Sequence, residues 1–115
     1  MNFPVKNSNR TMNLMTKTVA KTLPAIGATD GQGENAIARV KFFMGSFTWF
    51  ATEMDPETGE MYGKVFSGHW PEGEFGYFSL MELATKKGCF GEGVERDRYF
   101  KPTALKNCHN PLDSR

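Results

Sequence analysis

The sequence predicts a small α+β domain: one antiparallel sheet, a meander plus further short strands, with two or three short helices packed mainly on one face. Three observations predict it. Runs of alternating apolar and polar residues follow one another across turn signals between residues 37 and 67. A helix-start pattern, Ser79-Leu80-Met81-Glu82, ends a further short run. The chain of 115 residues has the length of one domain, and its ten phenylalanines, two tryptophans and three tyrosines supply a dense aromatic core.

Taken in order, residues 1–11 are polar apart from Phe3 and Val5 and read as a flexible leader. The domain is expected to occupy residues 12–107, and residues 108–115 read as a flexible tail. In 12–23 the spacing of Met12, Met15, Val19 and Leu23 puts them on one helical face, with Pro24 at the stop. The glycine-rich stretch 27–35 reads as a flexible connection. Its GxxxGxG spacing fits neither the P-loop nor the dinucleotide fingerprint.

Four strands are expected next. The run 37–44 puts Val40, Phe42 and Met44 on one face and Arg39, Lys41 and Phe43 on the other. Gly45-Ser46 is a two-residue hairpin turn into 47–54, where Phe47, Trp49 and Ala51 oppose Thr48, Phe50 and Thr52. The turn DPETG leads into 61–67, and the loop 68–74 into a short strand over 75–78. A helix over 80–87 follows, with Gly88 as its stop. Residues 94–100 form a last strand or extended segment, and TALKN after Pro102 forms a turn or terminal helix.

Charge and motif narrow the function. Lysine plus arginine number 14 against 13 acidic residues, so the basic excess of a DNA-coating protein is missing. Cys89 and Cys108 lie far apart, without a CxxC or a histidine at zinc spacing, and are expected as reduced thiols. No apolar run approaches the roughly 20 residues needed to cross a bilayer, and the N-terminus lacks a signal-peptide core, so a cytoplasmic protein is expected. Glu53, Asp55 and Glu57 alternate near a turn without the EF-hand spacing and read as a solvated acidic turn. No GxSxG or HExxH is present; no catalytic, cofactor or metal residue is assigned, and Ser67 near His69 is too thin a pairing for a nucleophile and base.

Five motifs, in order, carry a resemblance. RVKFF is followed by FTWFATEMDPETG and Tyr62-Gly63; then come EFGYFSLMELATKKG and VERDRYFKPTAL. Over roughly residues 38–105 this order resembles the bacterial family catalogued as domain of unknown function 2958. The segment 67–73 departs from the short acidic or glycine-rich connection of other members. The resemblance implies a shared fold and a setting among plasmids, phages and integrated elements, beside counter-defence and DNA-processing genes. It implies no activity.

The expected function is therefore a small non-catalytic interaction protein of such an element. It would bind a host or element-encoded protein, in a counter-defence role of the anti-restriction or anti-CRISPR type. The expected contact surface is the loop carrying His69, Trp70 and Glu72 with an exposed sheet face. The alternative is a nucleic-acid-binding accessory using Lys41, Lys64, Arg96 and Arg98 beside aromatic rings, and the third reading is a small enzyme. In Glu95-Arg96-Asp97-Arg98 the acids face one way and the arginines the other; ion pairs that pin the segment are the expected role, a clamp for carboxylate or phosphate the alternative. No membrane partner is expected.

Overall fold

The computed structural model describes residues 1–109. Its centre is a five-stranded antiparallel sheet made of β4 (Val40–Met44), β5 (Phe47–Met54), β6 (Glu60–Phe66), β7 (Glu74–Ser79) and β8 (Glu95–Arg96), in the spatial order β7-β6-β5-β4-β8. The expected meander is thus present, and the alternation of side chains explains it. Val40, Phe42 and Met44 are all buried on one face, as period two requires. Gly45 takes a φ of +58° in the tight turn that pairs Met44 with Phe47, a conformation that favours glycine. In the turn after β5, Gly59 donates to the Asp55 carbonyl at 2.8 Å with a φ of +80°.

A bulge interrupts β5 against β6. Ala51 pairs with Gly63, but Glu53 pairs with Tyr62, which leaves Thr52 as the extra residue. Thr52 turns its hydroxyl onto the Tyr62 carbonyl at 3.1 Å. The backbones approach so closely here that a Cβ on Gly63 would lie 1.8 Å from the Phe50 carbonyl oxygen.

Two short α-helices, α1 (Lys17–Ala20) and α2 (Leu80–Thr85), pack on one face of the sheet. The capping box predicted for α2 is formed: Glu82 N–H donates to the Ser79 hydroxyl at 3.0 Å, and Ser79 N–H to the Glu82 carboxylate at 3.4 Å. This face holds the larger core, with Phe42, Trp49 and Phe78 from the sheet against Leu80 and Leu83 of α2.

The opposite face is covered as well, by no α-helix among the described residues. A second, smaller core joins Phe50 and Phe66 of the sheet to Ala36, Ala38, Leu105 and Cys108. Its cover is a two-stranded pair, β3 (Ile37–Ala38) with β9 (Thr103–Ala104), flanked by 3-10 turns at Gly33–Asn35 and Leu105–Asn107. The run expected as one strand over 37–44 therefore splits at Arg39, because its first two residues leave the sheet to pair with the C-terminal segment.

The N-terminal region departs most from expectation. The helix expected over 12–23 is mostly absent: Asn13–Met15 form strand β2, and α1 has only four residues. Thr16 sets that limit, since its hydroxyl accepts the Val19 N–H at 3.2 Å as an N-cap. The leader expected over 1–11 contains strand β1 (Val5–Lys6), paired antiparallel with β2. Asn7, buried beyond it, donates from Nδ2 to the Val94 carbonyl at 3.1 Å and accepts the Thr11 N–H at 3.0 Å. One buried amide thus ties the β1–β2 hairpin to the segment that enters β8. At the other end, Cys108 is buried although it falls in the expected tail; residues 110–115 of that tail lie outside the described residues.

Candidate functional site: a groove at the β7 edge

Strand β7 is an edge. One side pairs with β6 and the other pairs with no described strand. Its side chains alternate, and Phe75 and Tyr77 point away from the helices into a ring cluster with Tyr62. Ring centroids there are 6.3 Å apart for Tyr62 and Phe75 and 4.9 Å for Tyr62 and Tyr77. Tyr77 is 63% exposed and Phe75 40%. An exposed edge with large rings is a liability that soluble proteins usually blunt.

On the helix side of the same strand lies a groove of about 380 Å³, bordered by Phe47, Trp49, Val65, Trp70, Gly76 and Lys86. Phe47 and Trp49 stack at 5.4 Å and form its apolar wall. Trp70, 42% exposed, borders it from the loop. Gly76 lies on its floor, where an added Cβ would meet nothing within 4 Å. The glycine is therefore not required by internal packing; what it provides is room. Glu74, Glu82 and Lys86 supply charge at the rim.

Ser67 holds Trp70 in place. Its buried hydroxyl accepts the N–H groups of His69 and Trp70, each at 3.2 Å, and its main chain exchanges hydrogen bonds with Trp70 at 3.2 and 3.1 Å. That accounts for the hydroxyl by local turn formation. His69 meets Trp70 edge-on at 6.5 Å. His69 and Glu72 are exposed on the same loop.

The other expected surface residues lie elsewhere. Lys64 points to the opposite face, where Nζ pairs with Glu34 and lies 5.3 Å from the Phe66 ring centroid and 5.6 Å from that of Phe75. Lys41 pairs with Asp97 at 3.8 Å and sits 5.9 Å from the Phe50 ring. Arg96 and Arg98 lie at the far edge, on and just beyond β8. The candidate residues thus fall in three separate places. Of the ion pairs expected to pin Glu95-Arg96-Asp97-Arg98 to the sheet, the described residues form one, Asp97 with Lys41 of β4.

Glu53 also differs from expectation. It is no solvated turn residue: it is 2% exposed, and its carboxylate accepts the Gly27 N–H at 2.7 Å, the Thr29 N–H at 2.8 Å and the Thr29 hydroxyl. Burial pushes its pKa up, but these hydrogen bonds outweigh burial and hold it below the ordinary carboxylate value. The loop 27–35 is accordingly pinned to the sheet. The two cysteines are free thiols, Cys89 exposed and Cys108 buried. Burial raises the Cys108 pKa to about 11.

Fold and groove together define a small, mostly β, α+β protein with a core on each side of one sheet and an apolar cleft at its open edge. A comparison with protein families matches residues 14–107 to the family described as Protein of unknown function (DUF2958), and the chain belongs to that family. No curated protein and no solved structure matches it. No helix among the described residues is long and apolar enough to cross a membrane.

Proposed function

We propose that the protein is a non-catalytic binding module of a plasmid, phage or integrated element, and that it captures a protein partner at the β7 edge. An extended segment of the partner runs along β7, and one apolar side chain of that segment seats in the groove over Gly76. The observation that carries this reading is the combination of an edge strand that pairs with no described strand on its outer side and an adjacent apolar groove whose floor glycine has open space above it. Strand addition supplies main-chain hydrogen bonds, and a pocket beside the strand supplies specificity. Exposed Trp70 and Tyr77 belong to the residue types that dominate binding hot spots.

The setting is proposed on the family resemblance: a cytoplasmic factor, host- or element-directed, in counter-defence of the anti-restriction or anti-CRISPR type. Two variants test the contact surface. Trp70→Ala weakens partner binding tenfold or more, the loss of about 1.4 kcal/mol or more that a hot-spot tryptophan carries. Gly76→Leu fills the groove and abolishes binding while the fold stays intact. Binding that survives both variants refutes this surface.

A further inference from the structure

The β1–β2 hairpin brings Lys6 and Arg10 beside Arg96 and Arg98. The four line one cavity of about 370 Å³ with Thr11 and Asn13, and no carboxylate among the described residues borders it. Among the described residues none of these four cations forms an ion pair. Four uncompensated charges around one hollow repel one another, so the fold holds them together at a cost.

Three details show that the hollow is built rather than incidental. Arg96 is fixed: one terminal nitrogen donates to the Asn13 carbonyl at 3.4 Å, while its Nε is buried with no hydrogen-bond partner among the described residues. Arg10 is the only described non-glycine residue with positive φ, at +56°, a strained conformation of the kind that collects at functional sites. Its N–H donates to the Asn7 carbonyl at 2.9 Å, so the same asparagine that anchors the hairpin also sets Arg10. Burial, and then the charge of Arg98, lowers the pKa of Arg96.

A second cavity, of about 490 Å³, adjoins the first and shares Met12, Arg96 and Arg98 with it. Its other walls include the rings of Phe43 and Tyr99, and Tyr99 is 86% exposed. Asp97 holds the main chain at Tyr99: its carboxylate accepts the Tyr99 N–H at 2.9 Å while it pairs with Lys41. Glu95 and Asp97, with Lys41 the one cation added beside them, border this second cavity and not the first, so the first is the more cationic of the two. Charge therefore orients any ligand that spans both, with its anionic end among Lys6, Arg10, Arg96 and Arg98 and a flat apolar end against Tyr99 and Phe43.

We propose that this double pocket binds a nucleotide, phosphate in the cationic hollow and base against Tyr99, with Arg98 between them. Free nucleotides and single-stranded nucleic acid share this chemistry. The site is independent of the groove at β7, which lies at the opposite edge of the sheet.

The test is fluorescence anisotropy with a labelled twelve-residue oligothymidylate at low salt, competed by AMP and by inorganic phosphate, on the full chain. The expected result is saturable binding that weakens as salt rises, with a slope of about −0.7 per phosphate neutralised. The exposed-residue variants Lys6→Gln and Arg98→Gln each weaken it about tenfold, as loss of one charge-assisted contact predicts. Tyr99→Ala weakens it about fivefold or more through lost stacking, while Lys21→Gln and Lys101→Gln leave it unchanged. Competition by AMP assigns the site to free nucleotides; binding of the oligomer without AMP competition assigns it to a strand, and either supports the proposal. Inorganic phosphate competing as well as AMP, with Tyr99→Ala silent, overturns the nucleotide assignment. Absence of binding, or equal weakening by the Lys21 and Lys101 variants, overturns the site.

Discussion

Replacing Glu53 by glutamine is the sharpest probe of how the second face is held. The substitution keeps the side chain's shape and removes its charge. The native carboxylate accepts from two main-chain N–H groups and one hydroxyl, all from the loop 27–35. A glutamine offers one acceptor oxygen and turns an NH2 group toward the remaining donors. One part-buried donor is then left facing the NH2 group, at about 1–3 kcal/mol, and the surviving bonds lose their charge assistance. The expected loss is about 3 kcal/mol near neutral pH, or roughly 12 °C in Tm at about 4 °C per kcal/mol. Acid titration supplies an independent readout. The folded pKa of Glu53 is depressed, so between the two values the unfolded state binds more protons, and stability rises with pH. The contribution is fully present above the unfolded value near 4.5 and disappears as pH falls through the folded value. The glutamine variant lacks that part of the acid limb. Urea denaturation as a function of pH measures both effects. A variant within about 0.5 kcal/mol of wild type, with an unchanged acid limb, refutes the claim that Glu53 secures the loop.

Two glycines in adjacent strands should behave oppositely. Gly63→Ala forces a methyl group against the Phe50 carbonyl and costs about 3 kcal/mol or more, whereas Gly76→Ala changes stability by under about 0.5 kcal/mol; paired urea melts check both. Asn7→Ala removes the buried amide between the hairpin and Val94 and destabilises by about 2 kcal/mol, by the same measurement. Iodoacetamide at pH 8 should alkylate Cys89 rapidly and reach Cys108 only on unfolding, because Cys108 is buried and its thiol stays protonated; intact-mass spectrometry counts the adducts.

The parts of the fold that were legible in the sequence are those whose cause is local. Alternation in VKFFM and FTWFATEM set the faces of β4 and β5, Gly45-Ser46 set the hairpin, and Ser79 with Glu82 set the start of α2. The parts that were not legible depend on distant contacts. Met12, Met15, Val19 and Leu23 carry helical spacing, yet pairing with Val5–Lys6 makes a strand of Asn13–Met15; Thr16 was the available signal of a later helix start. The polar leader reads as unattached because its anchor, Val94, is 87 residues from Asn7. Glu53 looks like part of a solvated turn because its partners, Gly27 and Thr29, lie in a loop that itself reads as free. The same reason hid the cationic cavity. Alternation correctly put Arg96 and Arg98 together, but nothing local connects them to Lys6 and Arg10. Of the groove, Trp70 was visible as an exposed loop aromatic, while Gly76 carried no signal beyond an unexplained glycine within a strand.

The central claim, that the open edge at β7 binds a protein, is tested most directly by capture from host lysate. Tagged wild type and Gly76→Leu are compared, each with and without nuclease, and retained proteins are read by mass spectrometry. The account predicts one stoichiometric protein that survives nuclease with wild type and is lost with Gly76→Leu, although the variant melts like wild type. Equal retention by the two proteins, or no retained protein with either, contradicts it.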